Sequence, residues 1–335
     1  MSKADAAAAI LWIGATLYAV FGGADFGGGL WDLIAGGAKR GERPRARIQR
    51  SLTPVWEANH VWLIFILVVL WTAFPEAFAA IMSTLYVPLA LAALGIVLRG
   101  AGFAFRKSVD SLPAQRALGA CFALSSVMTP FFMGTVVGAV ASGNVPAEGN
   151  GEAFSSWIEP LPLLTGALFV VSGAYLAAIF LISDSRRAGD GEMEEYFAFR
   201  ALSAAAAAGA LALAGIFMLQ ADARYVYDGL IAEGLPLVIL SGICGLAVLA
   251  MLMRGARRGL RPPAALAVAA VIWGWGVAQY PYLLPTSLDI ATAAAPGPTL
   301  TSVLVVFGVA AIVVLPALGL LYTLSQREIV GESSE

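Results

Sequence analysis

The stretch from Ser51 to Pro75, SLTPVWEANHVWLIFILVVLWTAFP, decides how the rest of the chain is read. It opens with helix-start chemistry: Thr53 is a candidate N-cap and Pro54 stands at the first helical position. One turn later come Trp56, Glu57, Asn59 and His60, followed by an almost unbroken apolar run to Pro75. A carboxylate, an amide and the only histidine of the chain thus stand at the mouth of a membrane-length helix. Ionisable groups are expensive there unless they serve something. The expectation is that they serve proton movement.

Working outward, the composition fixes the class. The 335 residues are 59 % hydrophobic and 13 % charged, with a mean hydropathy of +0.82. Soluble domains carry about 25 % charged residues. Apolar runs of membrane-spanning length recur, without the alternation of barrel strands, so the fold class is all-α: one polytopic helical membrane domain over residues 1–335. The first apolar run outlasts a signal-peptide core and lacks a small-residue cleavage site, which speaks against a cleavable signal. Cys121 and Cys244 both lie in apolar runs and read as packing residues.

Nine spans are expected, at 6–36, 53–74, 78–104, 115–141, 161–183, 197–220, 235–254, 263–283 and 299–324. The first is interrupted by Gly22 to Gly29, GGADFGGG, where it bends or begins at the interface. With this count, 17 of the 20 basic residues fall on one side, Lys3 and Arg224 on the other, and Arg99 inside the third span. The positive-inside rule then puts the N-terminus outside and the C-terminus in the cytoplasm. The outer segment Ser142 to Pro160 reads as a solvated connection, Asp184 to Glu195 as a polar loop, and Gly331 to Glu335 as a disordered tail. No Walker or GxGxxG loop is present, so ATP-driven work by this chain alone is not expected, and nothing points to nucleic acid.

Asp25 lies about 15 Å from the cytoplasmic end of span 1 at the rise of an α-helix. Glu57 stands within a turn of the start of span 2, and Arg99 lies inside the cytoplasmic end of span 3. An isolated charge near mid-membrane costs about 2.5–3.5 kcal/mol even on insertion scales, so pairing or a wet cavity is expected. Blander readings stand beside this one. Arg99 serves equally as the structural ion-pair partner of Asp25 or Glu57, and Glu57 as a helix N-terminal charge favoured by the dipole. Asp32 reads as a solvated helix-end residue, and His60 as a hydrogen-bonded packing residue. The glycines around Asp25 allow close helix packing. One histidine is too few for a multi-haem centre within this chain, and no His/Cys cluster suits zinc.

Three stretches resemble subunit II of the cytochrome bd quinol oxidases. They are Gly22 to Gly29 (like G-F-D-x-G-x-G), Pro54 to Leu63, PVWEANHVWL (like P-x-W-D-G-N-x-x-W-L), and Tyr86 to Arg106, an apolar helix ending R-x-x-x-F-x-x-R. Their order and spacing fit, over the first third of the chain. The resemblance implies a multi-pass subunit of the bacterial plasma (inner) membrane that binds no cofactor through its own ligands. It implies a partner, the haem-bearing subunit I, carrying haem b, haem d and the quinol site, with membrane lipids and a small accessory subunit as further contacts. By motif, Asp25 and Glu57 fall on the family's intramembrane acids and Arg99 on its helix-end arginine. Glu57 stands where the family usually has Asp, Ala58 where it has Gly, and Gly22 where some members have a second Asp. On this reading Glu57 takes protons in, Asp25 relays them, and Asn59, Arg99, Trp56 and His60 orient and balance charge. A stand-alone proton-coupled secondary transporter is the rival, with Gly22 to Gly29 as a discontinuous helix, although no second broken helix matches it. A scaffold with idle acids is the third reading.

Overall fold

The computed structural model describes residues 2–37, 39–52, 56–105, 109 and 111–331, without the side chains at positions 56, 57, 112, 322 and 325–331. Thr53, Pro54 and the tail 332–335 lie outside the described residues. The helices are α1 (Lys3–Leu17), α2 (Gly23–Leu33), α3 (Glu42–Leu52), α4 (Trp56–Ala73), α5 (Pro75–Thr84), α6 (Tyr86–Phe105) and α7 (Leu112–Ala141). They continue with α8 (Pro160–Arg187), α9 (Gly191–Asp222), α10 (Arg224–Ile231), α11 (Leu235–Met253) and α12 (Arg261–Gln279). A hairpin of β1 (Tyr282–Leu284) and β2 (Leu288–Asp289) precedes α13 (Ile290–Ala293) and α14 (Gly297–Gly331). Among the described residues eight helices are long and apolar enough to cross a membrane, and nine spans result if the bent pair α4–α5 is taken as one.

Several boundaries differ from expectation. The apolar run assigned to 78–104 is two helices: α5 is bent by 118° from α4, and the spanning helix starts only at Tyr86. Phe74 leaves the helical region (φ −139°) and Pro75 opens the next helix, so the chain turns there. The last residues of the span 263–283 belong to the hairpin, whose Leu283, Leu284 and Leu288 are buried. In span 1 the irregularity is one turn of π-helix, Tyr18–Gly22, and the glycine run itself is α-helical. The basic segment after span 1 folds as α3, which buries Pro44, Arg47, Ile48 and Leu52. The segment 142–160 is not merely solvated, since Val145 and Trp157 enter the core and Gly151 N–H donates to Thr84 Oγ1 at 3.1 Å.

α8 is the central helix, packed against α2, α7 and α9, while α6 lies on α7, α11 on α12, and α1 on α4 and α14. Two large apolar clusters form the ends of the bundle. One gathers Trp31, Ile48, Leu176, Ile182, Phe197 and Leu260; the other gathers Ala7, Phe74, Leu85, Val145, Leu284 and Ile290. Ion pairs join the basic segments at the first end: Arg43 and Arg47 with Asp190, Arg257 with Glu195 at 2.7 Å, and Arg261 with Asp184. At the other end Lys3 Nζ donates to Thr301 Oγ1 at 2.7 Å and Ala295 N–H to the Ala73 carbonyl at 2.8 Å. The charge asymmetry of the sequence is therefore an asymmetry of the bundle.

The contact of α2 with α8 is glycine on glycine. A Cβ on Gly27 would fall on the main chain of Gly173, and one on Gly29 would fall on Ser126. Trp31 Nε1 locks the pair by donating to the Ala174 carbonyl at 2.8 Å. Gly27→Val is expected to cost about 1–3 kcal/mol through overpacking, read as a lowered thermal midpoint in detergent. Gly100→Ala, at a helical position with nothing within 4 Å of the added carbon, is expected to leave the midpoint unchanged or raise it.

Candidate functional site

Between the two apolar clusters lies the buried polar centre. The π turn Tyr18–Gly22 hands over to α2, and Asp25 sits in its first turn, 3 % exposed. A turn of π-helix is a frequent accompaniment of functional sites. Asn59 of α4 points its amide inward: Nδ2 donates to Asp25 Oδ2 at 2.5 Å and to the Phe21 carbonyl of the π turn at 3.4 Å. The amide thus grips both the carboxylate and the irregular turn that presents it.

Arg99 of α6 is 1 % exposed, an expensive position for a guanidinium unless its donors are used. Nε donates to Ser126 Oγ at 3.1 Å and Nη2 to the main-chain carbonyl of Asp25 at 3.2 Å. Its charge lies over the rings of Phe26, 4.8 Å from the centroid, and Phe122, 5.2 Å. The expected partnership with Asp25 is therefore made through the backbone of α2, which puts the cation beside the carboxylate without a direct carboxylate–guanidinium bond among the described residues. His60 stacks on Phe26 with centroids 5.9 Å apart. The side chains of Trp56 and Glu57 lie outside the described part, so the structure brings together Asp25, Asn59, Arg99 and His60 from the expected set.

Two positions depart from their sequence reading or were missed by it. Asp32 is not a solvated end residue: it is 5 % exposed, with Arg45 of α3 at 2.8 Å, because the basic segment folds back over the end of α2. Ser126 was missed, and the signal was present as Ser125, Ser126 and Thr129 in an otherwise apolar span. Its hydroxyl donates to the Phe122 carbonyl at 2.6 Å and accepts from Arg99, so both functions are used.

A cavity of about 460 Å³ opens beside Asp25. Asp25, Asn59 and Gly28 line its inner part, and Ser51, Asp184 and Arg261 line it at the end where the basic segments meet. It is bounded by α2, α3, α4, α8 and α12. Among the described residues no three His, Cys, Asp or Glu side chains converge to hold a metal ion. What the arrangement offers chemically is a gripped carboxylate, a neighbouring fixed cation and room for water.

The sequence profile described as cytochrome bd terminal oxidase subunit II matches residues 4–325. The chain is 30 % identical over 128 residues to cytochrome bd ubiquinol oxidase subunit 2 of Bacillus subtilis, covering 38 % of this chain and 36 % of that one. It is 28 % identical over 126 residues to cytochrome bd-I ubiquinol oxidase subunit 2 of Escherichia coli strain K12, covering 38 % and 32 %. The chain thus spans about a third of the length of these curated relatives in the matched segments. A chain of the bd oxidase from Geobacillus thermodenitrificans has the same fold, with a TM-score of 0.79 and 24 % identity over 97 % of this chain and 98 % of that one.

Ser126→Ala removes the acceptor of a buried charged donor and is expected to cost about 1–3 kcal/mol. Ser125→Ala, whose hydroxyl only donates to carbonyls of its own helix, is expected to cost less. Thermal midpoints followed by tryptophan fluorescence distinguish the two.

Proposed function

Because the chain belongs to the cytochrome bd terminal oxidase subunit II family, we propose that it is the non-haem subunit of a quinol:oxygen oxidoreductase. It lies multi-pass in the bacterial inner membrane, with its basic end towards the cytoplasm. Its partner is a haem-bearing subunit I. The haems b and d of that partner supply oxygen reduction with electrons from quinol. This chain scaffolds the partner and carries cytoplasmic protons towards the reaction. Its single histidine is engaged against Phe26, which supports leaving the haems to the partner.

The observation that carries this reading is a buried carboxylate, Asp25, at the inner end of a cavity that extends to the basic end of the bundle. Asn59 holds Oδ2, which leaves Oδ1 to take a proton from water in the cavity and later give it up. Between transfers the Arg99 guanidinium balances the carboxylate across a region where fields are weakly screened. Bonded to Ser126 and to the backbone of α2, it keeps its place whichever state Asp25 is in. Glu57, in the first turn of α4, is the second acid of the route. A stand-alone transporter is disfavoured by the family match over residues 4–325.

Purified through a tag on this chain in mild detergent, the complex is expected to bring a second large hydrophobic subunit and the visible bands of haems b and d. A colourless single chain would return the transporter to first place. Asp25→Asn is expected to slow oxygen consumption by about a hundredfold, the lower range for losing a proton-transferring side chain, with haem content unchanged. Full turnover would remove Asp25 from the route.

A further inference from the structure

We propose that the cytoplasmic mouth of the route to Asp25 is the Asp184–Arg261 pair, and that the Ser51 hydroxyl anchors the water between mouth and acid. This rests on the proton-route reading above and adds to it residues from three elements outside the motifs: α3, α8 and α12. Three observations carry it. First, one cavity of about 460 Å³ is lined by Asp25 and Asn59 and also by Ser51, Asp184 and Arg261. Secondly, the side chains of the pair are 13 % and 28 % exposed, so it reaches the surface of the chain at its basic end, whereas Asp25 at 3 % does not. Thirdly, Ser51 Oγ is buried and has no hydrogen-bond partner among the described residues, although Ser51 lines the cavity. A buried hydroxyl in that condition is normally satisfied by water, and the volume holds several molecules.

The chemistry of the mouth follows from its contacts. Arg261 Nη2 donates to Asp184 Oδ1 and to the Phe180 carbonyl at 2.9 Å, and its guanidinium lies 5.1 Å from the Phe180 ring centroid. Arg187 adds a second cation 3.9 Å from the same carboxylate. Arg261 is thus fixed to α8, and Asp184 is an acid held at the rim with protons arriving from bulk water. From there each hop breaks one O–H bond and forms another, through cavity water and past Ser51 to Asp25 Oδ1, with no electron moved. Asp184 is the first proton carrier of this transfer, and Arg261 is the residue that positions it.

The test uses the whole oxidase, with Cys121 and Cys244 replaced by serine, in inside-out vesicles. Ser51→Cys is expected to react with a membrane-impermeant methanethiosulfonate added to the cytoplasmic face, and adding Ala265→Phe, which fills the cavity wall, is expected to slow that reaction. Asp184→Asn is expected to lower turnover severalfold and raise the solvent deuterium isotope effect at unchanged haem content, with Asp184→Glu restoring both. If Ser51→Cys stays unlabelled, or Asp184→Asn keeps wild-type turnover and isotope effect while Asp25→Asn is slow, this mouth is wrong and the route through Asp25 stands. If Asp25→Asn keeps full turnover, the route itself fails and the mouth falls with it. Should Asp184→Asn not assemble, Ala265→Phe supplies the same arm: unchanged turnover with an unlabelled Ser51→Cys overturns the proposal.

Discussion

Everything at the centre of this bundle depends on keeping a carboxylate and a guanidinium buried within the membrane span. Neither tolerates that position alone. The solution is a set of bonds from different helices: the Asn59 amide on Asp25, and Arg99 on the Asp25 carbonyl and on Ser126. The bonds tie α2, α4, α6 and α7 to one another. The two apolar clusters close the bundle above and below this layer, so the polar groups meet protein and cavity rather than lipid.

That layer exists only because the helices approach closely. With Gly27 on Gly173 and Gly29 on Ser126, the backbone of α2 comes near enough for Arg99 to reach a main-chain carbonyl. Gly28 lines the cavity and also lets α3 close on α2, since a Cβ there would stand 3.1 Å from Leu52. Small residues thus bring α2 against α3, α7 and α8 at successive positions of one run.

Much of this was legible in the sequence, and the reason is local. Apolar run length and basic bias are properties of contiguous segments, so the all-α class and most spans follow from them. Asp25, Asn59 and Arg99 were legible as polar groups out of place in apolar runs on successive helices. What stayed hidden depends on partners distant in sequence. Asp32 looks like a helix-end residue until α3 folds back and supplies Arg45. Asp184 and Arg261 sit in separate basic segments, and nothing in either announces the other. The separate helix after the bend at Phe74–Pro75 is hidden within the expected span 78–104, because the apolar residues of α5 continue the pattern of α6. The role of Glu57 rests on its motif, since its side chain lies outside the described part.

We propose that Asp25 passes cytoplasmic protons to the oxygen chemistry of the partner. The most direct measurement is time-resolved charge movement in proteoliposomes when the fully reduced complex meets oxygen, comparing wild type with Asp25→Asn. If Asp25 carries these protons, the electrogenic phase slows severely in the variant while oxygen still binds at the wild-type rate. An electrogenic phase of unchanged rate and amplitude would contradict it.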